Sequence, residues 1–331
     1  MPDAWLDQVH EEILEPERPI VDPHHHLWRH DEAPYLLDEL WRDTGSGHNV
    51  TQTVFVECGS EYFKDGPEHL RPVGETVFVA EIAKASRAGG DGHANIAAIV
   101  GHADLLLGER IAEVLEAHGE AGDGLFRGIR HSAAWDASDA IRASHSNPPP
   151  DLLERSETRA ALKVLGDKGL TCDAWFYHPF MKCFADLARA LPGTEFILDH
   201  FGGPIGIGPY AGKQDEIFEA WREDLQELAT CDNVSVKLGG LAMPVNGWGW
   251  HNRPVPVTSD EVVAAHGRYY RHALECFGAD RAMFESNFPV DRRSVSCPIL
   301  WNAFKKIAAG CSETEKTALF SGTATRVYRL N

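Results

Sequence analysis

The sequence predicts a single α/β domain, a closed (β/α)8 barrel of parallel strands with enlarged loops after the strands. Three observations carry this. Short β-branched or aromatic runs recur eight times, and almost every one is followed by a longer segment with helical periodicity. Most runs are apolar nearly throughout, as strands buried on both faces are. The 331 residues, 43% hydrophobic and 24% charged, form an ordinary globular composition, and that length suits one large barrel. The count of eight favours a closed barrel over an open doubly wound sheet.

The elements follow in order. Residues 1–19 are acidic and lack the apolar run of a signal peptide, so they read as an N-terminal extension to a barrel domain at 20–331. Strands one to four fall at 20–28, 50–58, 94–102 and 124–132, with helices at 75–88, 105–118 and 151–168. Strands five to eight fall at 170–178, 194–202, 233–240 and 281–289, with helices at 181–190, 215–229, 260–277 and 299–310. A closing TATRVYRL, 323–330, packs after the last helix. Inserts at 29–48, 132–150, 201–214 and 239–259 follow strand ends, where a barrel builds its site.

Charge and motifs exclude several classes. With 31 Lys+Arg against 50 Asp+Glu, the net charge of −19 argues against nucleic acid and anionic membrane surfaces. No stretch reaches the apolar length of a membrane span. There is no G-x-G-x-x-G after strand one and no phosphate-binding P-loop pattern. Seven scattered cysteines without a C-x-x-C pair read as free thiols in a cytoplasmic protein. The expected partner is a small-molecule substrate, and self-association into a homo-oligomer is left open.

Chemistry concentrates at strand ends. Asp22, His24 and His26 share a strand face by period-two alternation, and two imidazoles so spaced can ligate one divalent ion. His178 ends strand five and His200 ends strand six. Either alone reads as an ordinary satisfied histidine; four at strand ends form a constellation. Arg130 closes strand four, suited to a substrate carboxylate or to a structural ion pair. Arg127 faces the helices and reads as structural. Lys237 reads as a buried amine with a lowered pKa or as a snorkelling surface residue. Glu57 ends strand two as a support or substrate contact. Trp248, Trp250 and His251 sit in an insert where they can stack on a ring or close the mouth.

In this order the residues resemble the amidohydrolase superfamily, in its amidohydrolase-2 branch of TIM-barrel hydrolases, nearest to sugar lactonases and 2-pyrone-4,6-dicarboxylate lactonase. The matches are D-x-H-x-H-x-W at Asp22, His24, His26 and Trp28, R-G-[IV]-R at Arg127–Arg130, His178, His200 within D-H-x-G-G-P, and V-K-L-x-G at 236–240. The resemblance implies opening of a lactone or related ester of a small acidic or sugar-derived substrate. It implies catalytic roles for His24, His26, His178 and His200, and substrate contacts from Trp28, Glu57, Arg130 and Lys237. His24, His26 and His178 would hold a divalent metal, zinc by ligand type, and a metal-free route stays open.

One departure stands out. The family ends strand eight with G-S-D-W-P; here Asn287 stands at the Asp position within Glu285-Ser286-Asn287-Phe288-Pro289-Val290-Asp291. An amide cannot take the proton at neutral pH, so Glu285, or else Asp291, is expected to supply the carboxylate. Non-oxidative decarboxylation of an aromatic or muconate-type acid and a non-catalytic ligand-binding barrel remain as alternatives.

Overall fold

The computed structural model describes residues 3–29, 33–90 and 92–330. Eight strands pair in chain order, all parallel: β1 (Pro19–His25), β2 (Asn49–Val56), β3 (Asn95–Gly101), β4 (Phe126–Arg130), β5 (Thr171–Ala174), β6 (Glu195–Leu198), β7 (Val234–Leu238) and β8 (Ala282–Phe284). The ring closes where the His26 N–H donates to the Phe288 carbonyl at 2.8 Å and the Asn287 N–H to the His24 carbonyl at 3.0 Å. This is the single (β/α)8 barrel that the alternation predicts.

The helices are α1 (Asp3–Leu6), α2 (Leu37–Thr44), α3 (Val73–Ala88), α4 (Ile111–Ala121), α5 (Ser156–Asp167), α6 (Met181–Ala190), α7 (Gln214–Leu228), α8 (Ser259–Phe277), α9 (Cys297–Ile307), α10 (Glu313–Thr317) and α11 (Thr323–Val327). Two differences from the sequence reading are informative. Helix α2 lies inside 29–48, which reads as an insert; the Leu36 N–H is capped by Glu39 Oε2 at 3.0 Å. Strands five, six and eight stop well short of their expected ends, at Ala174, Leu198 and Phe284. The chain beyond them curls over the mouth. His200, Phe201 and Asn287 take φ of 52°, 59° and 56°, and left-handed backbone does not continue a ladder.

Two apolar layers hold the barrel. Between strands and helices, Phe55, Trp221, Tyr270, Phe284 and Trp301 are fully buried in one continuous core. Inside the barrel, Val21, Val54, Val100, Ile197 and Met283 meet Ala324, Val327 and Tyr328 from the closing segment. The Thr323 hydroxyl bonds to the carbonyl of Ala279, just before β8, so α11 plugs the end where the strands begin. The first residues are tied to the barrel's flank: Leu14 N–H donates to Asn302 Oδ1 at 3.0 Å, and Ser259 N–H to Glu11 Oε1 at 2.8 Å. Among the described residues no helix is long and apolar enough to cross a membrane.

Candidate active site

Above the apolar plug the barrel interior turns polar, and local backbone features aim its side chains. Against β2, the β1 register slips between Asp22 and His25, a bulge that re-aims His24. Asp22 then clamps the first strand to the last, accepting the Ser286 N–H at 2.9 Å and the Ser286 hydroxyl at 2.5 Å. Its burial raises its pKa to about 7. On the far side, Gly239 and Gly240 leave room that no other residue would: a Cβ at Gly239 would lie 2.4 Å from Glu285 Cγ, and one at Gly240 2.4 Å from His200 Nδ1. With those openings the His24 and His200 rings approach to 4.5 Å and the His24 and His26 rings to 4.9 Å.

Glu285 organises two of these imidazoles. Its Oε1 accepts from His200 Nδ1 at 2.6 Å, and its Oε2 lies 3.0 Å from His24 Nδ1. Burial pushes the carboxyl up, yet the facing imidazoles of His200 and His24 and their hydrogen bonds outweigh it and hold Glu285 at about 2, so it is ionised. His24 is lowered by its burial and by Lys237. The neutral ring directs Nδ1–H to Glu285 and accepts an Arg130 N–H at Nε2, 3.3 Å away. His26 is also held well below its usual value by burial, and Nδ1–H donates to the Val56 carbonyl at 2.8 Å. In His26, therefore, Nε2 carries the free lone pair, and His200, with Nδ1 on Glu285, has no hydrogen-bond partner at Nε2 among the described residues.

Lys237 differs from both sequence expectations. It is wholly buried, so it does not snorkel. Burial pulls its pKa down, but Asp173, at 2.5 Å, and Asp199, at 3.1 Å, outweigh burial and leave the ammonium charged. Tyr328 completes the base, donating to Asp173 at 2.7 Å. Arg130 adopts the ion-pair arrangement. Nε donates to Glu57 Oε1 at 2.8 Å, NH1 to Asp199 Oδ2 at 3.2 Å, and NH2 to the Glu57 carbonyl. With His24 also served, one of its five N–H groups remains unassigned. Glu57 in turn holds His145 Nε2 at 2.8 Å, and the carboxylate raises the pKa of that imidazole.

A cavity of about 450 Å³ opens above this network, lined by His26, Arg130, His145, His200 and Asn287, with Trp28 at its wall. Asn287 donates through Nδ2 to Asp291 Oδ1 at 2.9 Å, and burial raises Asp291 to about 7. The structure thus brings His24, His26, His200, Glu285, Arg130, Lys237 and Glu57 into one network with Asn287 and Trp28 beside it. His178 stands apart from it. Its Nδ1 accepts the Ile205 N–H at 3.3 Å and its ring meets Tyr210, so it pins the β5 end to the following loop. Sequence reasoning passed over Asp173, Asp199 and His145. The first two were visible as lone acids within apolar strand runs, whereas His145 lies in a loop with no local signal.

The donor set fits a divalent ion by type and spacing: ligand atoms of His24, His200 and Glu285 lie within 4.8 Å of one another, all buried. Lys237 Nζ, 3.0 Å from His24 Nδ1, competes for the same negative charge.

Comparison with known proteins agrees with this architecture. The family model described as amidohydrolase (Amidohydro_2) matches residues 21–330. An uncharacterized protein, y4mH, of Sinorhizobium fredii is 32% identical over 94% of this chain and 98% of its own length. An L-fucono-1,5-lactonase of Burkholderia multivorans is 26% identical over 94% of this chain and 96% of its own. Among solved structures, an amidohydrolase from Burkholderia multivorans with bound Zn superposes with a TM-score of 0.72 at 23% identity, covering 94% of this chain and 99% of that one. With the match spanning nearly the whole barrel and every strand end that carries the site, the chain belongs to the amidohydrolase family.

Proposed function

We propose that this hydrolase opens a lactone of a small acidic or sugar-derived molecule, with His200 and Glu285 as its proton-handling pair. The observation that carries the reading is the 2.6 Å bond from His200 Nδ1 to an ionised Glu285 at the floor of the cavity. A buried carboxylate fixes the tautomer, and His200 Nε2 faces the cavity as a base for water. The water oxygen adds to the lactone carbonyl carbon while its proton passes to His200 Nε2. Arg130, with one N–H unassigned at the cavity wall, steadies the carbonyl oxygen as it gains charge. The ring C–O bond then breaks and the leaving alkoxide takes the proton back from His200. His24 acts indirectly, holding Arg130 and Glu285 in register. In a metal-loaded form, zinc by donor type, His24, His200 and Glu285 would hold the ion in place of this proton pair, and it would supply Lewis-acid polarisation of the carbonyl. Lactonase-named relatives support the substrate class. A cytoplasmic setting belongs to the same proposal, supported by seven cysteines that are all free.

The test is a panel of aldonolactones and carboxylated lactones, assayed with chelated protein and with added Zn2+, in 18O-labelled water. Label in the carboxylate product is expected. No turnover of any lactone by either form, or CO2 release without label, overturns the proposal.

A further inference from the structure

The cavity wall says more about the substrate. Among the described residues lining it there is no Asp or Glu, in a chain with 50 acidic residues and a net charge of −19. The wall instead carries Arg130, Arg142, His145 and Arg293. Arg130 and His145 are matched by Glu57. Arg142 and Arg293 are different: both are exposed, and neither has an ion-pair or side-chain hydrogen-bond partner among the described residues. They arrive from separate segments, Arg142 from the loop after β4 and Arg293 from the turn after β8. Trp28, Trp175 and Tyr177 supply apolar faces to the same wall. The neighbouring cavity, about 610 Å³, lacks this bias, since Glu68 and Asp104 line it beside Arg71 and Arg110.

Resting on the lactonase reading, we infer that the substrate carries a carboxylate outside the scissile ring, and that Arg142 and Arg293, not Arg130, bind it. A protein this acidic repels an anion at long range, so an anionic substrate needs local cations that no carboxylate neutralises. Guanidinium groups suit that task, because their fork matches both oxygens of a carboxylate. Arg130 is unsuited, since four of its five N–H groups are committed to Glu57, Asp199 and His24 and the one left cannot form the two-pronged fork.

The experiment compares paraconate, a γ-lactone with a ring carboxylate, with its neutral carboxamide, on wild type and on Arg142→Ala and Arg293→Ala. The expected result is a preference for paraconate of about tenfold or more in kcat/KM that shrinks as salt screens the pair. Each variant is expected to raise the ratio of the two KM values by about tenfold, with kcat for paraconate little altered. Equal or better turnover of the carboxamide, or variants that harm both substrates alike, overturns the inference and leaves the lactonase reading standing. If neither lactone is opened, the wider lactone panel decides that reading separately. The inference is then decided by calorimetric titration with tricarballylate: binding lost in the double variant supports it, and absence of binding to wild type overturns it.

Discussion

Glu285 and Glu57 each sit fully buried against two histidines within the same barrel, yet they belong to different kinds of cluster. Among the described residues, the cationic groups within 4 Å of Glu285 are both imidazoles, His24 and His200, with the Lys237 ammonium acting from farther off. Glu57 faces a guanidinium first, Arg130, and then His145 and, more distantly, His102. An imidazole can give up or take a proton near neutrality; a guanidinium cannot. Glu285 is therefore placed to move protons with its partners, whereas Glu57 is locked as the counter-ion of a permanent charge. A glutamate between two histidines gives one reactive cluster and one structural cluster, and the difference lies in whether a guanidinium is among the carboxylate's direct contacts.

The sharpest test of that contrast is Glu285→Gln, which is expected to lower kcat/KM by roughly a thousandfold, as loss of a positioned base or its orienting partner does. Steady-state kinetics on a turned-over lactone checks it, and a loss under about tenfold would assign Glu285 to structure. Glu57→Gln should do its main damage to stability, about 3 kcal/mol by denaturant melting, because it strips Arg130 of its nearest counter-ion. If Glu285→Gln costs more stability than Glu57→Gln, the contrast is reversed.

Lys237→Met addresses the base of the reactive cluster. It leaves Asp173 and Asp199 without their ammonium and should cost about 3 kcal/mol, while raising zinc uptake by removing the competing cation. Elemental analysis of the dialysed variant against wild type reads the second effect, and unchanged zinc content would show that the two cations do not compete.

Protonation separates the clusters again, with smaller effects. Glu285 stays ionised down to about pH 2, whereas His145 is raised by Glu57. A histidine with a raised folded pKa contributes its full stability below its unfolded value, near 6.5, and loses it as pH rises through the folded value. The His145 ring signals in NMR should thus titrate above pH 6.5. His118 and His266 run the other way: burial holds them neutral, at about 4 and about 3. Their stability is intact above about pH 6.5 and falls on acidification, on the order of 1 kcal/mol per histidine per pH unit. A melting temperature that stays flat from pH 7 to pH 5 would contradict this.

Much of the fold was legible because each β/α unit carries its own periodicity, and parallel strands buried on both faces announce themselves as apolar runs. The histidines at 24, 26 and 200 were legible because polar residues on such strands need a reason. Strand ends were misread where the apolar pattern runs on through 175–177 while the backbone has already turned into the mouth. Helix α2 was missed because eight residues between loop signals are too few to show periodicity.

The sequence by itself determined the barrel, the polar strand ends and the acid at position 285 beside an amide at 287. It determined them through local pattern, since period and residue type are properties of a single segment. Only the tertiary structure decided that Lys237 is a buried cation, that Arg130 is clasped by Glu57 and Asp199, and that His178 stands outside the network. Those assignments depend on which charges from different strands end up within a few ångströms in a medium that screens them poorly. That distance is set by closure of the barrel, not by any one stretch of chain.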